Sequence, residues 1–182
     1  MYISEKLRTE NIAEYLLYMW QVEDMIRAAG HNSDRLYNTL IRESGRSKDD
    51  CLKWKQWYDD LIEMMYAEGK ASQGHLQINE NVLILIEDLH LRLLKSDKQS
   101  EYRELFYKAL PFILEFRDRS NEGEKNEEIR DCFNMLYGVW MLKLQGKPIS
   151  ELTAQAVQAV SAFTGKLAFF YKEEMAGRLD LD

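Results

Sequence analysis

The chain has 182 residues, of which 46% are hydrophobic and 30% are charged. This composition is too apolar and too rich in aromatic side chains for a disordered protein, and the length suits one domain that buries roughly 70% of its unfolded surface. A net charge of −7 opposes binding to nucleic acid, because the basic residues form no cluster in the sequence.

The cysteine spacing, the N-terminal pattern and the length of the longest apolar run together indicate a cellular location. Cys51 and Cys132 stand far apart and outside any CxxC spacing, which favours reduced thiols in a reducing compartment. The N-terminus lacks the basic-then-apolar pattern of a signal peptide. The longest aliphatic run, Val82 to Ile86, is far shorter than the roughly 20 residues that span a bilayer. We therefore expect a cytoplasmic protein without a membrane segment.

Apolar residues recur at helical spacing along nearly the whole chain, and strand patterns are nearly absent. Gly30 ends the first predicted helix, Asn32 or Ser33 caps the second, and Ser150 caps the last. The stripe of the fifth helix passes straight through Pro111, which favours a kink over a break. In chain order, the predicted helices span residues 10–29, 34–43, 48–68, 78–95, 101–117, 127–144 and 150–175.

The helices are joined by short polar segments, of which residues 69–75 and 121–125 are the clearest loops. Helices with apolar stripes and short connections pack as bundles. The sequence therefore predicts an all-α fold, in which residues 1–182 form a single-domain up-and-down helical bundle of about six or seven helices.

Three segments resemble a known family. The stretch from Asn11 to Arg27 is similar to the opening helix of an uncharacterised bacterial family of all-helical domains of unknown function, whose members have a similar length. The segments Gly74 to Gln77 and Asp88 to Leu94 are similar to the same family. The resemblance implies a helical fold over most of the chain, and it implies no activity, cofactor or site residue.

Glu87 and His90 form a Glu-x-x-His pair on the fourth predicted helix, a spacing that carboxylate-bridged di-iron bundles use. Such sites need the pair twice and two further glutamates. Neither His31 nor His75 has a glutamate three residues before it. We therefore expect no metal at this pair and no other cofactor.

The first predicted helix carries a candidate pocket. Glu23 lies near the apolar side of this helix, with aromatic rings close by, and a carboxylate in such surroundings can act as an acid or a base. The alternative is a purely structural role, in which Glu23 pairs with a cation or a hydroxyl from a neighbouring helix. The candidate pocket residues are Tyr15, Trp20, Glu23, Asp24, His75 and His90.

The third predicted helix carries apolar groups around more of its circumference than one core-facing stripe requires. Either the helix is buried on several sides, or it offers the excess to a partner, since Trp, Tyr and Met are favoured at interfaces. The candidate interface residues are Trp54, Trp57, Tyr58, Met64 and Met65.

Familiar catalytic and cofactor motifs, such as GxGxxG, GxxxxGK[ST], HExxH and GxSxG, are absent from the sequence. The turn around Gly45 joins two helices as in a helix-turn-helix, but aspartates interleave with the lysines that follow it, which disfavours DNA binding. Two hypotheses remain. The first is a non-catalytic protein that works through protein contact or as a homo-oligomer, and the second is a small-molecule-binding or enzymatic bundle that uses the candidate pocket.

Overall fold

A computed structural model describes residues 2–42, 45, 47–120 and 127–181. Within these residues the fold is all-α, with eight α-helices and no strand, so the predicted fold class is confirmed with eight helices instead of six or seven. The helices are α1 (Tyr2–Glu10), α2 (Ile12–Ala28), α3 (Ser33–Leu36), α4 (Lys48–Ala67), α5 (Gln77–Lys95), α6 (Ser100–Ser120), α7 (Glu128–Leu144) and α8 (Glu151–Met175).

Two features of the first 41 residues differ from the predicted elements. The first predicted helix is preceded by α1 and starts only after Asn11, whose side chain accepts a hydrogen bond from the Ala13 N–H at 3.2 Å and so caps α2. The second predicted helix consists of the short α3 and a π-helical turn, Tyr37–Ile41. Asn32 is its N-cap, because its side chain accepts from the Arg35 N–H at 2.9 Å. The predicted loop 121–125 lies outside the described residues.

The chain divides into two compact units. The first unit comprises residues 1–8 and 14–81, and the second comprises residues 9–13 and 82–182. The organisation of residues 1–182 as one domain stays a prediction.

In the first unit, α4 packs against α3 and the π-helical turn. Apolar side chains of α2 and α4, among them Leu16, Ile26 and Met65, are buried. The C-terminus of α2 is closed by Gly30 at φ +67° and His31 at φ +57°, and the His31 N–H donates to the Ile26 carbonyl at 2.9 Å. This left-handed ending turns the chain sharply after α2 and aims His31 at the segment that follows α4.

In the second unit, α6, α7 and α8 pack against one another. Helices α6 and α8 run antiparallel, because Tyr102 contacts Phe170 while Phe106, one turn later in α6, contacts Phe163, about two turns earlier in α8. Pro111 lies inside α6, which continues through it as predicted. Within the described part of the chain, none of the helices has both the length and the apolar character needed to cross a membrane.

Ser150 is the N-cap of α8, as predicted, and its contribution to stability can be measured by substitution. The Ser150 hydroxyl accepts from the Thr153 N–H at 3.0 Å and satisfies one of the free donors at the start of α8. Ser150→Ala is expected to lower the free energy of unfolding by about 1 kcal/mol in a urea titration. The matched control is Ser161→Ala, an exposed position inside the same helix, where alanine is the better helix former and no loss is expected. Equal effects at the two positions would contradict the capping role.

Candidate functional site

The side chain of Glu23 is the centre of a buried polar cluster in the first unit. It projects from α2 with 0% of its surface exposed. One carboxylate oxygen accepts from the Leu76 N–H at 2.9 Å and from the Asn79 side-chain amide at 2.7 Å. The other oxygen lies 2.6 Å from Nδ1 of His75. Three partners thus surround a carboxylate that has no access to water, and each offsets part of the cost of burying its charge.

The same contacts fix the state of His75. An ionised carboxylate offers only acceptor sites, so Nδ1 of His75 donates to the second oxygen of Glu23. When the ring is neutral, its Nε2 atom has a free lone pair. The imidazole stacks on Trp20 with ring centroids 4.1 Å apart and an interplanar angle of 10°, and 22% of the His75 side chain is exposed. The result is an oriented imidazole at the edge of the unit.

Glu23 also serves the start of α5. The first N–H groups of a helix have no partner inside the helix, and the helix dipole favours a negative charge there. The Leu76 N–H donates to Glu23, and the Gln77 N–H donates to Glu68 at 2.7 Å. Two carboxylates, from α2 and from the residue that follows α4, therefore cap α5.

The segment before α5 is held by two further side chains that sequence reasoning missed. Arg27 donates to the Lys70 carbonyl at 3.1 Å and to the Gly74 carbonyl, and Nε2 of His31 lies 3.0 Å from the Ala71 carbonyl. Arg27 follows Glu23 by four residues, so the helical spacing places both on one face of α2, which was the available signal. This face of α2 acts as a clamp on the loop that carries His75.

The structure brings together three of the six candidate pocket residues, namely Trp20, Glu23 and His75. Asp24 instead forms an ion pair with Arg27 at 2.9 Å, and Tyr15 lies under the Arg8 guanidinium, 5.8 Å from the ring centroid. The remaining candidate, His90, belongs to the second unit and has its described contacts there.

His90 lies in an aromatic cluster of the second unit. Its Nδ1 is 2.6 Å from the Tyr102 hydroxyl, and its ring contacts Phe106 and Phe163. Burial lowers the pKa of His90 to about 4, against a smaller opposing effect of Glu128. Burial likewise raises the pKa of Tyr102. His90 is therefore neutral at physiological pH and accepts a hydrogen bond from a protonated phenol.

Glu87, the partner of His90 in the Glu-x-x-His pair, has more polar surroundings than His90. Burial, reinforced by the charges of Glu127 and Glu128, raises the pKa of Glu87. Within the described residues, no three His, Cys, Asp or Glu side chains lie close enough together to hold a metal ion. The thiol of Cys132 is fully buried, and that burial raises its pKa well above the usual value, so it is a poor nucleophile.

The candidate interface on α4 is partly internal. Trp54, Tyr58 and Met65 are buried within the chain, whereas Trp57 and Met64 are half-buried. Trp54 and Trp57 meet edge to face with centroids 5.5 Å apart, and Trp57 and Tyr58 meet in the same way at 5.1 Å. Only Trp57 and Met64 retain surface for a partner, and their role in an interface stays a prediction.

Comparison with known proteins adds a family and no activity. A family model described as a domain of unknown function (DUF4924) matches residues 1–178. No curated protein matches the chain, and no solved structure matches it. The match supports the resemblance seen in the sequence and transfers no site residue.

Proposed function

The chain belongs to the DUF4924 family, a domain of unknown function, and we propose that it acts through contact with other protein chains, its own second copy included, and not through catalysis. The observation that carries this proposal is an exposed apolar surface on α5. Ile84, Leu85 and Leu91 expose 59%, 53% and 51% of their surfaces. Single exposed leucines are ordinary, but Ile84 and Leu91 share one face of the helix, with Leu85 about 100° from Ile84 around the axis, and this grouping favours an interaction surface.

The arrangement of this surface favours a second copy. Ile84 and Leu91 are seven residues apart, so they lie about 20° from each other around the helix axis and about 10 Å apart along it. In an antiparallel pairing of two α5 helices about a two-fold axis, Ile84 of each copy lies opposite Leu91 of the other. Asp88, between them, already pairs with Arg92 at 2.8 Å, which reduces the repulsion between two such helices.

The rival hypothesis, a catalytic pocket on α2, has less support. Each oxygen of Glu23 is engaged by a hydrogen-bond donor, and the cluster joins α2 to the start of α5 as a structural contact would. When the His75 ring is neutral, the lone pair on its Nε2 atom remains available to a ligand.

The surroundings of the two cysteines support a cytoplasmic location as part of the proposal. Cys51 and Cys132 are both buried free thiols, as expected in a reducing compartment. The net charge of −7 supports protein partners over nucleic acid.

Sedimentation at several protein concentrations tests the proposal. We expect the wild type to form a dimer and the double variant Ile84→Glu/Leu91→Glu to be monomeric, with each substitution raising the dissociation constant at least about fivefold. The matched control is Leu52→Glu on α4, where an isolated leucine is 61% exposed and association is expected to stay unchanged. Circular dichroism of each variant verifies that the helices are retained.

Two results would contradict the α5 surface. One is a wild type that stays monomeric at high concentration. The other is a dimer that Trp57→Ala dissociates and that the α5 double variant leaves intact, which would move the contact to α4.

A further inference from the structure

The exposed face of α5 carries charged groups as well as apolar ones. Within this helix Leu93 is fully buried, and Ile84 lies about 180° from it around the helix axis. Lys95 lies about 20° from Ile84, and Glu80 lies about 40° from it on the other side. Both charged residues therefore border the apolar stripe that Ile84 and Leu91 form on the face turned away from the core.

The two charges differ in sign and occupy opposite ends of the helix. Glu80 is in the first turn of α5 and is half-buried, whereas Lys95 is in the last turn and is exposed. Within the described residues, Lys95 forms no ion pair. Its ammonium group is therefore available to a carboxylate of another molecule.

An antiparallel pair of α5 helices brings these opposite charges together. Glu80 precedes Ile84 by four residues, and Lys95 follows Leu91 by four residues. When the apolar stripes are in register, with Ile84 opposite Leu91, the same step along each helix reaches the charged residues. Glu80 of one copy then lies opposite Lys95 of the other. The two-fold axis repeats this contact at the other end, so two ion pairs flank the apolar layers.

A parallel pair of α5 helices would bring like charges together. A two-fold axis along the helices places each residue opposite its own copy, so Glu80 would meet Glu80 and Lys95 would meet Lys95. Like charges at both ends disfavour that arrangement. Antiparallel helices also place the positive end of one helix dipole beside the negative end of the other. Asp88 lies near its own copy in both arrangements, so it does not discriminate between them.

We propose that Glu80 and Lys95 determine the orientation and register of an antiparallel α5 pair, with Glu80 of each copy bound to Lys95 of the other. This inference rests on the proposed self-association through α5 and adds to it the residues that select the partner. Charge pairs beside an apolar contact set which partner and which orientation are accepted, as they do at the flanking positions of coiled coils. The surface is therefore specific for a chain that carries the complementary charges at the same spacing.

Charge reversal tests this arrangement by sedimentation at several protein concentrations. Lys95→Glu and Glu80→Lys each replace two ion pairs by two like-charge contacts, so each is expected to raise the dissociation constant at least about fivefold. An equimolar mixture of the two variants restores opposite charges at both ends, because one chain is acidic at both positions and the other is basic at both. The mixture and the double variant Glu80→Lys/Lys95→Glu are each expected to associate within about twofold of the wild type.

The matched controls reverse the same two charges at the equivalent places of another helix. Glu151 is in the first turn of α8 and Lys172 is in its last turn, and both are exposed. Glu151→Lys and Lys172→Glu change the net charge and the helix-dipole interactions as the α5 variants do. They are expected to leave association unchanged. Circular dichroism of every variant verifies that the helices are retained.

The possible results separate this inference from the proposed function. A dimer that Ile84→Glu/Leu91→Glu dissociates and that neither charge reversal weakens would retain the α5 surface but overturn the antiparallel ion pairs, as expected of a parallel pair. Weaker association of both single variants, with no recovery in the mixture or in the double variant, would also overturn the pairing. A wild type that stays monomeric at high concentration would contradict the proposed function and this inference together.

Discussion

Glu23→Ala is expected to lower the free energy of unfolding by about 3–5 kcal/mol, measured by urea titration at pH 7. The substitution leaves the Leu76 N–H and the Asn79 amide buried without their acceptor, and it frees His75 from the partner that orients it. Unpaired buried donors each cost about 1–3 kcal/mol, so the loss exceeds that of an ordinary surface carboxylate. Glu63→Ala, an exposed position of α4 in the same unit, is the matched control and is expected to change stability by less than about 0.5 kcal/mol.

The isosteric variant Glu23→Gln separates hydrogen bonding from charge. Its carbonyl oxygen can accept from Leu76 and Asn79 as before, and its amide can donate to Nδ1 of His75 if the imidazole changes tautomer. We expect this variant to lose only about 1–2 kcal/mol. Nitrogen chemical shifts of His75 report the tautomer directly, and the expected result is a proton on Nδ1 in the wild type and on Nε2 in the variant. A Glu23→Ala protein as stable as the wild type would show that the cluster contributes nothing to the fold.

The helices themselves were predictable because local periodicity specifies them. The stripe through Pro111 and the cap at Ser150 are properties of neighbouring residues, and both are present in the structure. The first predicted helix begins at about residue 10 and no element is predicted for residues 2–9, so α1 and its separation from α2 at Asn11 were missed. The π-helical turn at Tyr37–Ile41 was missed because no local residue type specifies it.

The polar cluster was only partly predictable for a different reason. Periodicity placed Glu23 on the apolar side of α2, and burial of a carboxylate requires partners. It did not identify them, because His75 and Asn79 are more than 50 residues away and their approach depends on how the loop after α4 is held. The aromatic residues of α4 show the same limit, since composition alone does not say that Trp54 and Tyr58 are covered while Trp57 is half-exposed.

Acidification from pH 7 to pH 4 is expected to remove about 3 kcal/mol of stability through His90 alone. An unfolded histidine titrates near pH 6.5, whereas burial lowers the pKa of His90 in the folded protein to about 4. Between these values the unfolded chain binds the proton and the folded chain does not, so the folded state loses stability as the pH falls. The stability associated with neutral, buried His90 is fully present above about pH 6.5 and is lost as the pH falls towards 4. A pKa difference of this size corresponds to roughly 3 kcal/mol of unfolding free energy.

The measurement is the free energy of unfolding as a function of pH for the wild type and for His90→Gln, which has no titrating ring at this position. The carboxylates titrate in both proteins, including Glu87, whose pKa burial raises, so the difference between the two curves isolates His90. Tyr102→Phe is the matched control, because it removes the hydroxyl that donates to Nδ1 but keeps the buried imidazole. It is expected to be less stable at every pH while retaining the wild-type slope, since burial and not the hydrogen bond is the main cause of the low pKa. Parallel curves for the wild type and His90→Gln between pH 7 and pH 4 would mean that His90 is exposed to water in solution and can take up a proton without loss of the fold.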